Sequence, residues 1–229
     1  MARRRRKASY APILLGCVAV ALAALAWMNA SRVRAYFDAL GSKSAGPVSV
    51  AADNVDPVNE GRRVRIVGKL ETGAPARDEE LGVGANAAIL LRKVEMYQWR
   101  EHCGSGDCTY EAAWSAQPID SLKFRHPEGH ENPSQRLVDA RFASDSLRVG
   151  AFSVAADVAV QGATIDLPVR TGDLRPNLAA SFSEANGALY AGGDPVHPKV
   201  GEVRVSYAIV PPGNIELSGV QRGSSLVAQ

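Results

Sequence analysis

Residues Ser9–Met28 (SYAPILLGCVAVALAALAWM) run for twenty positions without a charge, directly after Arg3-Arg4-Arg5-Arg6-Lys7. No other feature restricts the chain as much. At about 1.5 Å rise per residue, a helix of this length spans roughly 30 Å, the thickness of a bilayer's hydrocarbon core. Tyr10 and Trp27 sit near its ends, where aromatic side chains favour the interface. Pro12 falls in the first turn, where proline is tolerated. The basic cluster before the run predicts a cytoplasmic N-terminus and an exported body. A cleaved signal peptide is the competing reading, with Ala24-Leu25-Ala26 as a usable small-residue site. The chain is therefore read as a basic cytoplasmic tail (1–8), a transmembrane anchor (9–28), a juxtamembrane helix and linker (29–50) and an extracytoplasmic β-rich domain (51–229). Val33, Tyr36, Phe37 and Leu40 follow the i, i+3, i+4, i+7 pattern of a helix that continues the anchor or lies on the membrane surface.

Charge follows the same division. The formal net charge is +2, but residues 1–28 carry +5 and residues 29–50 carry +2, which leaves the remaining body at −5. An acidic body argues against a nucleic-acid partner, which needs a basic face on the folded part.

From residue 51 onward the helical period fades and strand signals take over. Arg62–Leu70 alternates basic and apolar residues as a half-buried strand does. Gly73–Gly84 reads as a loop. Ala88–Glu101 reads as a long strand whose alternation slips near Arg92-Lys93, which predicts a bulge or bend. Thr109–Trp114 is a strand, and Cys103–Cys108 is the hairpin tip between the two. Leu137–Phe142, Gly150–Val154 and Ile165–Val169 are short strands, and Ala155–Gln161 one or two helical turns. Glu202–Val210 and Ile215–Gln221 are strands separated by the turn Pro211-Pro212-Gly213. The fold class expected is mainly β (α+β), antiparallel and barrel- or sandwich-like, with one or two short helices.

Cys17 lies in the apolar run. In an oxidising compartment, Cys103 and Cys108 at a hairpin tip are most simply a disulfide. The alternative is a zinc site of these cysteines with His126 and His130. It is weakened by the long gap to His126 and by Pro127 and Gly129, which prevent the helix that would align two histidines. No nucleophile elbow, zinc-protease motif, P-loop or dinucleotide fingerprint is present, so neither an enzymatic role nor a cofactor is expected.

Several strings carry a resemblance. They are Val94-Glu95-Met96-Tyr97-Gln98-Trp99 after Leu91-Arg92-Lys93; then Trp114, Ile119-Asp120-Ser121, Phe124 and Gly129-His130-Glu131-Asn132-Pro133; then Val200–Tyr207; and finally Gln221–Val227. In this order, over roughly residues 60–227, they resemble the transmembrane protein 43 (LUMA) family. The resemblance implies one N-terminal span, a large lumenal or periplasmic domain and further spans near the C-terminus. It also implies a membrane organiser that self-associates and binds other envelope proteins, with no established enzymatic activity. Glu95, Tyr97, Trp99, Trp114, Gly129, His130, Asn132, Pro133 and Arg204 are the family-motif residues and possible interaction residues. The end at Gln229, about where later spans would begin, is expected to reflect a truncation or a single-pass member. The cysteine pair and His126 do not belong to the family pattern.

Read from their types, the aromatics of these strings suit core packing, and Trp99 and Trp114 are candidates for a cross-strand stack. His130 and Asn132 suit hydrogen bonds to their own loop. The Ala- and Arg-rich composition suggests a bacterial source, and hence an inner-membrane protein with a periplasmic body. The function expected is a membrane-anchored, non-enzymatic scaffold or interaction protein whose partners are the lipid bilayer, other envelope proteins and a second copy of itself. A ligand- or lipid-binding module is the alternative, and a metal-dependent hydrolase a more remote one.

Overall fold

A computed structural model describes residues 46–229. The anchor at 9–28 and the juxtamembrane helix lie outside the described residues. Among the described residues, no helix is long and apolar enough to cross a membrane. Pro47–Gln229 forms a compact unit. Its strands in chain order are β1 (Val48–Ala51), β2 (Arg63–Thr72), β3 (Ala76–Arg77), β4 (Gly84–Ala85), β5 (Ile89–Cys103), β6 (Cys108–Ser115), β7 (Ala140–Ala143) and β8 (Leu147–Val149). They continue with β9 (Phe152–Val154), β10 (Ile165–Leu167), β11 (Ser183–Ala185), β12 (Ala188–Ala191), β13 (Val203–Val210), β14 (Gly213–Arg222) and β15 (Ser225–Val227). Two single-turn α-helices, α1 (Ala156–Ala159) and α2 (Pro176–Ala179), and three 3-10 turns (Pro57–Asn59, Ser121–Lys123 and Thr171–Asp173) complete the set.

The fold is mainly β with a few short helices, and one of its sheets closes into a barrel. Strand β2 pairs with β14, β14 with β15, β15 with β9, β9 with β8, and β8 returns to β2. The β15–β9 pair is parallel and the other four are antiparallel. This is a five-stranded Greek-key circuit of the OB-fold kind. Strand β1 adds a parallel partner to the outside of β2, from Val48 opposite Val64 to Ala51 opposite Val67.

The period-two pattern of β2 explains the closure. Val64, Ile66 and Leu70 are fully buried, whereas Arg63, Arg65, Val67 and Lys69 face out. Phe152, Leu217, Leu226 and Val158 of α1 meet the inner row to fill the barrel.

Two long excursions leave the barrel, residues 73–146 and 160–212. They join through β5 and β13, which pair without a break from Ile89 opposite Val210 to Met96 opposite Val203. Strands β6 and β7 flank the far side of β5, while β12 and β10 flank the far side of β13. Asn186 and Gly187 both have positive φ, 52° and 77°, the requirement of the tight turn that joins β11 to β12. Leu81, Val83, Leu90, Val94, Leu189 and Val205 form this sheet's own core.

Three expectations need correction. No bulge interrupts β5 at Arg92-Lys93. The alternation slips there because Arg92, a charged residue, occupies a core position in an unbroken strand. The segment 73–84 is not simply a surface loop: it holds the β3–β4 hairpin and buries Ala76, Asp78, Leu81 and Val83. The strand expected from Leu137 begins only at Ala140.

The barrel should respond to truncation as a close-packed core does. Phe152→Ala is expected to lower unfolding free energy by about 3–5 kcal/mol. Val67→Ala, at a position 64% exposed, should stay within about 0.5 kcal/mol of the parent. Chemical denaturation with a fluorescence readout measures both.

Candidate functional site

The residues of the first three strings gather on the second sheet in two clusters, whereas Gln221–Val227 lies in β14 and β15 of the barrel. The first is built across β5 and β13. Glu95 lies directly opposite Arg204, and Arg204 Nε donates to Glu95 Oε2 at 2.7 Å. Lys93 Nζ adds a second cation 3.6 Å from Glu95 Oε1. The hydrogen bond from Arg204, reinforced by the two positive charges, holds the Glu95 carboxyl below its ordinary pKa. The Arg204 guanidinium lies 4.6 Å over the Trp114 ring.

Trp114 is opposite Tyr97, ring edge to ring face at 5.4 Å, and its other aromatic neighbour is Tyr190 at 6.2 Å. Trp99 and Trp114 therefore do not stack: in this register Trp99 faces Ala112. Glu95, Trp114, Tyr190, Arg204, Asn186 and Pro195 border a cavity of about 240 Å³.

Beneath it, the Tyr190 hydroxyl donates to Glu202 Oε2. Burial and that carboxylate push the Tyr190 pKa up to about 12. Burial alone would raise the Glu202 pKa, but hydrogen bonds from Gly193 N–H, Tyr190 and Lys199 N–H outweigh it and hold the group ionised.

The second cluster pins the loop 116–135 against β5. Asn132 acts as a substitute strand partner. Trp99 N–H donates to Asn132 Oδ1 at 2.7 Å, and Asn132 Nδ2 donates back to Trp99 C=O at 3.0 Å. The same Nδ2 reaches Ile119 C=O at 3.3 Å. Beyond the end of β13, the edge of β5 is thus occupied by a side chain instead of a strand, one way of protecting a sheet edge. The fully buried Gln98 does the same work nearby, with Nε2 donating to Ser115 and Gln117 carbonyls and Oε1 accepting from Ile119 N–H.

His130 sits between two aromatic rings, stacked on Tyr110 at 3.9 Å and edge-on to Trp99 at 4.9 Å. Its Nδ1 lies 3.3 Å from His126 C=O. Gly129 supplies the positive φ, 82°, that the turn before it needs. Pro133 packs on Gly201, where an added Cβ would come within 2.9 Å of Pro133 Cγ. Two of the family strings therefore meet at a contact that admits only glycine.

Cys103 and Cys108 close the β5–β6 hairpin as a disulfide. Both sulfurs are therefore committed, and neither His126 nor His130 joins them. The group of potential ligands found here among the described residues is Glu101 with the two bonded cysteines.

A third arrangement escaped the sequence analysis. Asp78, fully buried between β3 and β4, accepts from Arg92 Nη1 at 2.8 Å and from the Tyr207 hydroxyl at 2.7 Å. Glu80 takes Arg92 Nη2 at 2.8 Å, and Val138 C=O takes Arg92 Nε at 3.1 Å. Burial would lower the Arg92 pKa, but Asp78 and Glu80 outweigh it and raise the value. Burial, then the hydrogen bond to the Asp78 carboxylate, pushes the Tyr207 phenol far above its ordinary range.

The family model for transmembrane protein 43 matches residues 96–228, more than half of the chain. Transmembrane protein 43 of Rattus norvegicus is 31% identical over 175 residues, covering 68% of this chain. The chain belongs to the transmembrane protein 43 family. The Homo sapiens protein is 29% identical over 181 residues, and the Drosophila melanogaster homolog 26% over 164 residues. The chain spans 42% of the length of the rat and human proteins and 43% of the fly protein. No solved structure matches it. The match begins at Met96, so it takes in both clusters except Lys93 and Glu95, and of the buried charge network only Tyr207 and Val138.

Two outcomes follow. Asn132→Asp keeps the acceptor for Trp99 but loses both donated bonds, so it should cost about 2–3 kcal/mol and speed proteolysis within 116–135. Tyr207 has a folded pKa above its unfolded value of about 10. Its contribution is therefore present below that pH and lost as pH rises through the folded pKa. Denaturation midpoints followed from pH 7 upward should fall above about pH 10, and Tyr207→Phe should flatten that fall while lowering stability at pH 7 by about 1–3 kcal/mol.

Proposed function

We propose that this chain is a membrane-anchored, non-enzymatic interaction protein of the cell envelope. In this reading residues 9–28 hold it in the membrane, and the β-rich unit projects outside the cytoplasm to bind other envelope proteins or a second copy of itself. Family membership supports the membrane association, because the relatives are named as transmembrane proteins.

The observation that carries the interaction role is the convergence of separate family strings on one surface. Trp114, Tyr97 and Arg204 come from three strands and border or support a cavity whose outer rim, at Asn186 and Pro195, is exposed. Val196, beside that rim, is 76% exposed. Aromatic and arginine anchors beside a shallow recess are the composition of an interface hot spot. The polar side chains there are engaged in pairing and support, as with Glu95 on Arg204 and Glu202 on Tyr190.

The expected result of chemical cross-linking in native membranes, followed by mass spectrometry, is a defined set of complexes containing the full-length chain. Pro195→Arg and Val196→Glu, at the exposed rim, should weaken them at least about tenfold with no change in melting temperature. A chain that stays monomeric and captures nothing in the membrane would contradict the proposal.

A further inference from the structure

The sequence pattern of β2 has a second consequence. Its inward row fills the barrel, and its outward row is Arg63, Arg65, Val67, Lys69 and, at its end, Glu71, spaced along about 26 Å of strand. Register fixes what surrounds that row. On β1, Ser49 lies beside Arg65 and Ala51 beside Val67. On β14, Asn214, Glu216, Ser218 and Val220 lie opposite Lys69, Val67, Arg65 and Arg63.

Across these three strands the outer face therefore carries four cations, Arg63, Arg65, Lys69 and Arg222, and two anions, Glu71 and Glu216, on a body whose net charge is −5. Arg65 pairs with Glu216 at 3.3 Å, with both side chains largely in solvent. Among the described residues, Arg63 and Lys69 have no carboxylate within salt-bridge distance. Glu71, at the end of the row, faces Arg148. Val67 stands between two of the cations, 64% exposed.

We infer that this face is a docking surface for a bilayer bearing anionic phospholipid headgroups. Two observations choose the occupant. The first is charge: a predominantly basic row on an acidic domain is complementary to an anionic plane. The second is the chain itself. Strand β1, which borders the row, is the first strand after residues 1–45, and nineteen residues separate Met28, where the uncharged run ends, from Val48. A tether of that length, at most about 3.3–3.6 Å per residue when extended, lets β1 reach the surface that holds the run. Interfacial Lys and Arg are attracted to anionic lipid within a Debye length, and Val67 adds apolar contact at the headgroup boundary.

This inference rests on the anchored reading above, and the test separates the two. The full-length Cys17→Ser chain carrying Val67→Cys is labelled there with an environment-sensitive fluorophore; Cys103 and Cys108, being bonded, do not react. It is reconstituted in nanodiscs of phosphatidylcholine alone or mixed with phosphatidylglycerol. The expected result is a blue-shifted emission only where phosphatidylglycerol is present. High salt should abolish it, and Arg63→Glu with Lys69→Glu should reduce the shifted fraction about tenfold or more.

A label that stays aqueous in both lipids, in a chain that does enter the nanodiscs, overturns this inference and leaves the anchored reading standing. A shift that survives charge reversal overturns it in favour of a protein or purely apolar contact. A chain that does not enter nanodiscs overturns both.

Discussion

The second sheet depends on a buried ion pair. Asp78 and Arg92 are among the few charged residues the molecule encloses, with side chains 0% and 3% exposed. Enclosing two charges carries a desolvation penalty that their attraction offsets only when the remaining hydrogen-bonding groups are also satisfied. Here they are. Asp78 also receives the Tyr207 hydroxyl and the backbone N–H groups of Glu80 and Leu81, and Arg92 reaches Glu80 and Val138 C=O as well. The cluster thereby joins the β3–β4 hairpin, β5, β13 and the segment leading into β7, parts drawn from both excursions of the chain.

Its main effect is on register. Arg92 and Tyr207 are direct cross-strand neighbours, and both point inward to the same carboxylate. A slip of one residue between β5 and β13 would send Arg92 or Tyr207 to the solvent face, because side chains alternate along a strand. The same register sets Glu95 opposite Arg204 three positions away, and through Arg204 it sets the floor beneath Trp114. The candidate interaction surface thus inherits its geometry from a charge pair buried on the opposite face of the sheet.

Strands with one buried face were legible in the sequence. The alternation in β2 and β13 and the length of β5 point to a β-rich, barrel- or sandwich-like domain. What escaped did so for identifiable reasons. Arg92 breaks the binary pattern because it is charged and inside. The β3–β4 hairpin looks like a loop because the residue it buries most importantly, Asp78, is an acid. Strands of three or four residues such as β8, β11, β12 and β15 carry too few alternations to register. At the site, the resemblance picked out Trp99, Asn132 and Arg204, but the partners that give them meaning are distant in sequence. Tyr207 and Asp78 are 129 residues apart, and Arg204 and Glu95 are 109 apart. Spacing rules that read local chemistry do not see such pairs. Gly201 against Pro133 is a similar case: each is an ordinary turn residue until the fold brings them into contact.

These features describe a small Greek-key barrel carrying a large second sheet, with three of the four strings that resemble the transmembrane protein 43 family on the latter. A double-mutant cycle on Asp78 and Arg92 tests most directly whether the ion pair governs that sheet. Asp78→Asn and Arg92→Met would be measured singly and together by chemical denaturation. Each single change leaves a buried partner uncompensated and should lower stability by about 3–5 kcal/mol, while the double change should lower it by well under the sum. Additive losses would show that the two residues act independently and would contradict the account.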